Sequence, residues 1–529
     1  MTSAIHLRLP PEILMEIFAQ VQPASRKDIW LMHVCQTWRL LLTKTPEFWA
    51  CMFSALTSSK GLTFNPRSTP EWLNMLFDHS APCSLPLTIH QFSLAASDTL
   101  VRHAYHICSL HVQIASKVVV PFYTMLKHGF PRLESLRMTH VASTTSISPT
   151  MFAAFRAIDY SDLVLPLLRT LRLPPVFLTS GLSVDSLRLV EVESCACSEC
   201  RQPAPAIQRI TTDMISSFLQ RCPSLQTLRF VGLGYISTSV TAPSPPVERV
   251  VLGSLDALDI TSYDIPGTAN VLDCITLSLR TSVTLDLPDM GAFEPKLQTV
   301  LRNLPVFSTT LPHLRLVVHL CTATKPFRLQ YFLPDGSSPL ALSERRSSPS
   351  HRLSDCVARA REVLAMLPLT SVTTLEMRNI PSQVLGKGPQ AAVFLQDILV
   401  TLPRLATLTL DLTSDAVLSS LTPVLQSTAE GAGVICPMLQ TLTLRWCVPS
   451  EHDADVFLAN CNRIKAALDA RAKLGSRLST FSFKCARISR LEGPAKQEKE
   501  LLRKHLEEVF ATTADQVTVE VYKKGIATN

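Results

Sequence analysis

Glycine and charged residues are both scarce in this sequence: glycine occupies 16 of 529 positions, and charged side chains make up 18%. Glycine-rich turns that bind phosphate are missing, since neither GxxxxGK[ST] nor GxGxxG occurs. The HExxH zinc helix and the GxSxG nucleophile turn are missing as well. The sequence therefore predicts no catalytic residues and no cofactor, and we expect a protein that is not an enzyme.

Long apolar stretches are also lacking. No run of about 18 or more apolar residues escapes a charge or a proline, so no membrane-spanning segment is predicted. The first ten residues contain no apolar core of the kind found in signal peptides. No Asn-x-Ser/Thr acceptor occurs, and the 15 cysteines stand at the irregular spacings typical of reduced thiols. We therefore expect a location in the cytoplasm, the nucleus or both, and no membrane partner.

Positive charge is not concentrated in any one segment. The formal net charge is +7 at pH 7, and basic runs such as Arg345-Arg346 and Lys523-Lys524 have acidic residues nearby. Proteins that bind nucleic acid gather cations on one face or segment, because affinity grows with the number of phosphates neutralised. A nucleic-acid partner is therefore not expected.

What the sequence does have is a high apolar content, 46%, and 37 prolines. This apolar content is enough for a large folded interior, and 529 residues exceed the length at which one hydrophobic core stops growing. Because proline continues neither a helix nor a central strand, so many prolines indicate many short elements. We expect more than one structural unit, each built from short helices and strands.

Residues 9–53 carry the pattern of a small helical unit. Pro10 and Pro11 stand at a predicted helix start, and the apolar residues that follow recur on one helical face. Ser25–Asp28 predicts the start of a second helix, and a third is expected at about 35–45 because proline follows it. Three short helices bury little surface, so this unit would be only marginally stable alone.

This helical unit resembles the F-box family. The resemblance is carried by Leu9-Pro10, Glu12-Ile13-Leu14, Ile17-Phe18, Val34-Cys35, Trp38-Arg39, Leu41 and Phe48-Trp49, in the order and near-spacing of that family. It covers under a tenth of the chain, and the segment Gln20–Lys27 is longer and more polar than in the most compact F-boxes.

The resemblance implies binding to a Skp-family adaptor and, through it, to the cullin scaffold of a ubiquitin ligase. Carried over position by position, it places the adaptor-binding residues at Leu9, Pro10, Glu12, Ile13 and Ile17. It also implies that Trp38 packs in the core and Trp49 at its rim. A plain three-helix core, with no partner, is the alternative interpretation of the same apolar residues.

A leucine-rich unit with the pattern Pro-x-Leu-x-x-Leu-x-Leu then recurs along the chain. Copies start at Pro131, Leu168, Leu187, Pro223, Pro246, Cys274, Pro312, Val372, Pro403, Pro437 and Arg477. The pattern resembles the strand-forming half of a leucine-rich repeat, and helix-like segments such as 212–220 and 454–470 lie between copies. The usual Asn after the strand is missing in most copies. We therefore predict an α/β repeat fold, in which the three-helix F-box precedes an irregular, degenerate leucine-rich-repeat solenoid.

Two alternatives to the solenoid remain open. A doubly wound α/β domain also alternates strands and helices, although it normally carries a glycine-rich phosphate loop, which is absent here. An α/β enzyme with an unrecognised site would need a deep polar pocket lined by ionisable groups of perturbed pKa. The missing loop favours the solenoid over both.

The predicted segments are an F-box domain at 5–53, a linking region at 54–125, the solenoid at 126–490 and a C-terminal cap at 491–529. Within them we expect helices at 71–77, 98–108 and 496–510, strands at 85–89 and 517–521, a rigid connector at 242–246 and a polar loop at 335–355.

Cys195, Cys197 and Cys200 form the one close group of cysteines. Cys-x2-Cys spacing lets two sulfurs reach one zinc ion, and Cys222 is the nearest candidate for a fourth ligand. No complete ligand set is present locally, so we favour a loop of unpaired thiols and predict no metal site.

Together these patterns predict a substrate receptor of a cullin-based ubiquitin ligase, with an unidentified protein substrate bound by the repeats. The predicted substrate-binding residues are arginines at outward strand positions: Arg137, Arg172, Arg188, Arg229 and Arg445. Such a basic line favours an acidic or phosphorylated partner. The alternative is a leucine-rich-repeat interaction scaffold with no role in ubiquitination.

Overall fold

The structure is a computed structural model with two compact units, residues 1–278 and 279–529, here called the first and second units. It describes residues 9–21, 23, 26–58, 62–63, 70–141, 163–178, 182, 184–194, 210–233, 236–237, 249–262, 265–287, 295–302, 304–305, 314–319, 328–333, 335–344, 363–364, 367, 369–380, 390–412, 415–426, 428–429, 433–448, 454–487 and 495–523. Among these residues, no helix is both long enough and apolar enough to cross a lipid bilayer.

The first unit begins with helices that surround a small aromatic core. Its helices are α1 (Pro11–Gln20), a 3₁₀ helix (Arg26–His33), α2 (Gln36–Thr43), α3 (Pro46–Ser58), α4 (Pro70–Ser80), α5 (Leu94–Arg102), α6 (Val119–Lys127), α7 (Thr212–Leu219) and α8 (Ile265–Asp273). Cys35 caps α2 by accepting a hydrogen bond from the backbone N–H of Trp38 on its Sγ. Proline opens α1, α3 and α4, which agrees with its lack of an N–H donor.

The predicted helical unit is confirmed, with two differences. The second helix is a 3₁₀ helix, and the proline that ends α2 also begins α3. Phe48 and Trp49 therefore lie inside a further helix instead of following the last one. Proline blocks the preceding helix sterically but fits the first turn of a new one, so one residue serves both purposes.

Eight strands of the first unit form one parallel sheet. They are β1 (Leu62–Thr63), β2 (Leu85–Gln91), β3 (Ile107–Ala115), β4 (Ser135–Val141), β5 (Thr170–Leu173), β6 (Leu189–Glu193), β7 (Thr227–Leu233) and β8 (Ala257–Ser262). Each strand pairs in parallel with the one before it, so the order across the sheet is the order along the chain.

The two faces of this sheet differ in burial. Leu228 and Phe230 of β7 are buried while Arg229 between them is half-buried, and β8 alternates in the same way. A doubly wound sheet has both faces covered and reverses its strand order at one point. The described strands of the first unit do neither, which disfavours the doubly wound alternative.

Two of the eleven predicted leucine-rich copies were assigned to the wrong strand. Among the described residues of the copies that start at Pro246 and Cys274, the extended segments are Val250–Val251 and Ile275–Thr276, and these pair with each other in a separate small sheet. The main strand near the first copy is β8, where Gln226 O accepts hydrogen bonds from the N–H groups of Asp256 and Ala257. Leu255, Leu258 and Ile260 repeat the same spacing, so the local pattern fits two segments, and strand pairing decides between them.

The helix expected at 98–108 is confirmed as far as Arg102, is followed by a 3₁₀ helix at Ala104–His106, and is wrong from Ile107 onward. Helix α5 ends at Arg102, and β3 begins at Ile107 with alternate residues buried. The helix predicted at 71–77 and the strand predicted at 85–89 are confirmed as α4 and β2. The segment predicted as a linking region thus contributes strands to the same sheet as β4.

Among its described residues, the second unit contains a nine-stranded sheet, one short hairpin, five α-helices and a 3₁₀ helix at Leu369–Ser371. The helices are α9 (Pro295–Arg302), α10 (Gln390–Val400), α11 (Asp415–Gln426), α12 (Ala454–Lys473) and α13 (Ala495–Phe510). The strands are β9 (Ser282–Leu287), β10 (Leu314–His319), β11 (Arg328–Phe332), β12 (Leu340–Glu344), β13 (Val372–Ile380), β14 (Thr407–Leu412), β15 (Thr441–Val448), β16 (Leu478–Arg487) and β17 (Ala514–Lys523). Two short strands, 428–429 and 433–434, form a separate hairpin that is not part of these nine.

A hairpin interrupts the regular order of this second sheet. Strands β11 and β12 run antiparallel to each other and lie between β9 and β10, so β9 pairs with β12 and β10 pairs with β11. From β10 onward the order is again that of the chain, through β13, β14, β15, β16 and β17, all parallel. The polar loop expected at 335–355 is corrected by this finding, because Leu340–Glu344 forms β12. Residues 345–355 and the connector expected at 242–246 lie outside the described residues.

The helix and strand predicted in the C-terminal cap are confirmed as α13 and β17. Leu506 and Phe510 of α13 are buried, and the Phe510 ring lies 4.8 Å from that of Phe481 on β16. Because β17 pairs in parallel with β16 along its whole length, this segment extends the sheet in addition to covering its apolar face.

Candidate protein-binding surfaces

Helix α1 has one buried and one exposed apolar face. Leu14 and Phe18 are buried, and the Phe18 ring meets the ring of Trp38 edge-on at 5.1 Å. Ile13 and Ile17 point the other way and remain 48% and 45% exposed. An isolated exposed isoleucine is ordinary, whereas these two lie on one helical face next to a filled core and form an exposed apolar stripe on α1.

Further apolar side chains are exposed on the neighbouring helical segments. Trp30 on the 3₁₀ helix is 57% exposed, and Val34 and Leu40 are exposed as well. The sequence prediction of adaptor-binding residues did not include these three. The signal in the sequence is the tryptophan itself, because tryptophan is enriched at binding hot spots.

The core beneath these segments is rigidly held. Trp49 is fully buried, donates its indole N–H to the carbonyl of Leu42 at 2.8 Å, and stacks on His79 of α4 at 4.9 Å. Thr45 donates its hydroxyl to the carbonyl of Leu41 at 2.9 Å, which satisfies the end of α2. The apolar residues of α1 therefore project from a well-packed base.

Residues 6–49 match the F-box domain. The matched segment includes α1, the 3₁₀ helix, α2 and the start of α3, so the helices described above fit this domain. The chain therefore carries an F-box domain, and F-box domains typically bind Skp-family adaptors. No curated protein matches the chain.

All five residues predicted to bind the adaptor are exposed on this F-box domain. Leu9 and Pro10 precede α1, and Glu12, Ile13 and Ile17 lie along its outer face. Trp38, which the resemblance placed in the core, is half-buried against Phe18, whereas Trp49 is buried more deeply than a rim residue would be. Contact with an adaptor stays a prediction, which the exposure of these residues permits.

The polar face of the first unit's sheet carries one continuous row of mostly charged side chains. In register across six neighbouring pairings, the row consists of Thr88, His111, Arg137, Arg172, Glu191, Arg229 and Asp259. Because strand pairing places residues of equal register side by side, each charge in the row has a close neighbour on the next strand.

Three of the predicted substrate-binding arginines in this row form ion pairs. Arg229 lies 2.9 Å from Asp259, Arg172 lies 3.6 Å from Glu191, and Arg137 reaches Glu193 at 3.4 Å. Outward positions on β6 and β8 carry the acids, so this row is mixed in charge and not uniformly basic. Arg188 is exposed but precedes β6, outside the row.

The fifth predicted arginine, Arg445, belongs to a different cluster in the second unit. Its Nη1 lies 3.3 Å from Oε1 of Glu376 and 3.4 Å from Oδ1 of Asp411. Arg378 Nε donates to the same Glu376 at 2.6 Å, and Arg315 donates through its Nη2. We call the five residues Arg315, Glu376, Arg378, Asp411 and Arg445 the arginine cluster. The sequence prediction missed four of its five members.

Glu376 is the centre of the arginine cluster, with only 5% of its side chain exposed. Burial raises its pKa, but hydrogen bonds from Arg378 and Arg315 outweigh burial and lower the pKa to about 2. The hydrogen bond that Arg378 donates to Glu376 raises the pKa of Arg378. Burial raises the pKa of Asp411, partly offset by Arg445. Glu376 is thus a fixed anion that holds three guanidinium groups together.

The cysteine group predicted as a loop of thiols, Cys195, Cys197 and Cys200, lies outside the described residues. Cys222 is buried and donates its thiol to the carbonyl of Phe218 at 3.4 Å, and burial raises its pKa to about 12. Within the described part of the chain, no three His, Cys, Asp or Glu side chains come together as a metal site. The contacts of Cys222 are those of a packed apolar residue.

Proposed function

We propose that this chain is the substrate receptor of a cullin-based ubiquitin ligase. The F-box domain would bind a Skp-family adaptor, the adaptor would connect the chain to a cullin, and the sheets would bind a protein substrate. The observation that carries the proposal is the F-box match at residues 6–49, together with the exposed apolar face of α1 at Ile13 and Ile17.

The exposed face of α1 has the properties of an interface centre. Fully burying an isoleucine side chain stabilises by about 1.5–3 kcal/mol, so two half-exposed isoleucines offer roughly half of that each. Trp30 adds a large aromatic side chain of the type enriched at binding hot spots. Since the F-box core is small, complex formation would also stabilise the domain itself.

We further propose that the described strands belong to an irregular, degenerate leucine-rich-repeat solenoid. Parallel strands in chain order, with buried leucines on one face and polar side chains on the other, support this interpretation. In such a receptor the polar face binds substrate, and the bond-making steps belong to other subunits. The chain would then be a non-enzymatic protein that acts in the cytoplasm, the nucleus or both.

The test is capture of a purified Skp-family adaptor by the full-length chain. The Ile13→Asp variant should weaken capture more than about 100-fold, because a charge buried at the interface without a partner costs several kcal/mol. Leu501→Asp is the matched control, since Leu501 is a 64%-exposed leucine on helix α13 of the second unit. Capture that is equal for wild type and Ile13→Asp would refute the assigned surface.

A second measurement separates a ligase receptor from an interaction scaffold. The chain, the adaptor and a cullin are mixed and resolved by size-exclusion chromatography. Elution of all three as one complex supports the receptor. Elution of the chain with the adaptor but apart from the cullin would favour the scaffold alternative.

A further inference from the structure

The arginine cluster gathers three cations around one buried carboxylate. Arg315 comes from β10, Arg378 from β13 and Arg445 from β15, and all three donate to Glu376. Three guanidinium groups meet the two carboxylates of Glu376 and Asp411, so the cluster retains one net positive charge. Each acid of the first unit's ion pairs, by contrast, faces a single arginine.

Each arginine of the cluster uses only one nitrogen to hold Glu376. Arg315 donates through Nη2, Arg378 through Nε and Arg445 through Nη1. Their remaining nitrogens have no partner among the described residues, and the three side chains are 44%, 39% and 40% exposed. These donors therefore face solvent while the carboxylate beneath them is buried.

Anchoring on Glu376 prepares the arginines for a ligand. A free arginine loses much rotamer entropy when it binds an anion, whereas these side chains are already held by charge-assisted bonds. Arg315 is further restrained because its guanidinium lies 5.4 Å from the ring centre of Phe332. The guanidinium fork also matches the geometry of a carboxylate or a phosphate.

A field of small hydroxyl side chains lies next to the arginine cluster on the same polar face. In register, one row consists of Thr374, Thr407, Thr441 and Thr480, and the next consists of Thr409, Thr443, Ser482 and Thr518. They are half-buried or exposed, and no described residue hydrogen-bonds to them through their hydroxyls. We call these eight residues the hydroxyl field.

The hydroxyl field suits the backbone of an extended peptide. A hydroxyl both donates and accepts, so a row of them can meet the N–H and C=O groups that alternate along an extended chain. Neighbouring strands are about 4.8 Å apart, and the small side chains leave room for a segment that crosses several strands. A segment in this position would meet the arginine cluster at one end.

We propose that the second unit binds an extended peptide segment whose acidic group, a carboxylate or a phosphate, lies on Arg315, Arg378 and Arg445 while its backbone crosses the hydroxyl field. That the segment belongs to a ligase substrate rests on the proposed function; the acidic-peptide site does not. A nucleic acid fits less well, because Glu376 and Asp411 leave a single net charge where many phosphates need neutralising.

The experiment selects peptides from a displayed library of random 12-residue sequences on the immobilised whole chain, without an adaptor. Wild type should enrich Asp and Glu, and the Arg378→Gln/Arg445→Gln double variant should lose that enrichment. The matched control is Arg463→Gln/Lys473→Gln, which removes two exposed cations from α12 of the same unit. Absence of acidic enrichment in wild type, or equal enrichment in the double variant, overturns the proposal.

Resynthesised peptides distinguish the two sources of the acidic group. The best binder is made with Glu, phosphoserine or Ser at its enriched position, and binding is measured by fluorescence anisotropy. The Ser peptide should bind at least tenfold more weakly than the better acidic peptide, and equal binding of all three overturns the proposal. Tighter binding of phosphoserine identifies a phosphorylated segment, and tighter or equal binding of Glu identifies a carboxylate.

Two further measurements test the peptide site separately from protein folding and from adaptor binding. Thr443→Val keeps all three arginines and removes one hydroxyl, so it should lower the affinity for the selected peptide several-fold. This variant tests the site even if an arginine variant misfolds. Adaptor capture is measured on every variant. Loss of acidic selection with intact capture refutes this site alone, whereas acidic selection without capture by wild type refutes the ligase role alone.

Discussion

Removal of the buried cation Arg471 should destabilise one short segment of the second unit, the turn at Ile435 and Cys436. Only 1% of this side chain is exposed, and it donates from Nη1 to the carbonyl of Ile435 at 2.7 Å and from Nη2 to that of Cys436 at 2.5 Å. Cys436 has a positive φ of 50°, which a residue with a side chain rarely adopts. Arg471 thus holds the strained turn that leads into β15.

The expected magnitude follows from the two hydrogen bonds. A bond from a charged group contributes about 1.5–3 kcal/mol, so the pair contributes roughly 3–6 kcal/mol. Desolvation, which lowers the pKa of Arg471, and the buried Nε, which has no described partner, offset part of this. The Arg471→Met variant, which keeps the length but not the donors, should lose about 3 kcal/mol of local stability, or roughly a 100-fold increase in opening.

Hydrogen–deuterium exchange read by mass spectrometry checks this prediction in peptides that cover 435–448. Exchange there should accelerate about 100-fold in Arg471→Met, while peptides from the first unit keep their wild-type rates. Arg463→Met is the control, because Arg463 is exposed on the same helix, α12. If both variants exchange alike, the two carbonyl bonds do not hold the turn and the reasoning is wrong.

Three other outcomes are expected. Glu376 has a pKa of about 2 in the folded protein, against an ordinary 4.5. Its contribution to stability, roughly 1–3 kcal/mol after screening, is therefore complete above about pH 4.5 and is lost as the pH falls towards 2. The difference in urea midpoint between wild type and Glu376→Gln should shrink over that range. Leu14→Ala, at a buried position, should lower the free energy of unfolding by about 3 kcal/mol, and Leu9→Ala, at an exposed one, by under about 0.5 kcal/mol. Both values come from urea unfolding followed by tryptophan fluorescence. Gly129→Ala, at φ 88°, should lower the free energy of unfolding by about 1 kcal/mol, seen as a lower melting temperature, whereas Gly253→Ala, where the new methyl group has open space, should not.

The spacing of apolar residues predicted several helices and strands of the fold. Helix α12 was expected at 454–470 and spans Ala454–Lys473, and the strand expected at 517–521 lies inside β17. Apolar spacing marks the buried side of a helix or strand wherever the chain later packs. The same spacing did not separate Val250–Val251 from β8, because the choice depends on which segment pairs with β7.

The arginine cluster could not be predicted in the same way. Glu376 is 61 residues from Arg315 and 69 from Arg445, so no local motif connects them. The sequence does place Glu376 and Arg445 at outward strand positions, between buried leucines, methionine and tryptophan. What it lacks is the register between strands, and a shift by one residue would move Glu376 into the apolar interior.

The inserted hairpin has a consequence for how the second unit is made. In the main sheet of the first unit, each strand after β1 pairs with the main-sheet strand that was synthesised before it, so this sheet can grow as the chain leaves the ribosome. Strand β9 instead pairs with β12, which is synthesised later, since Asp286 and its neighbour Ser343 are 57 residues apart. Closing this longer loop adds little free energy but delays pairing, so one edge of β9 stays open to chaperones or to other nascent chains until residue 344 has emerged.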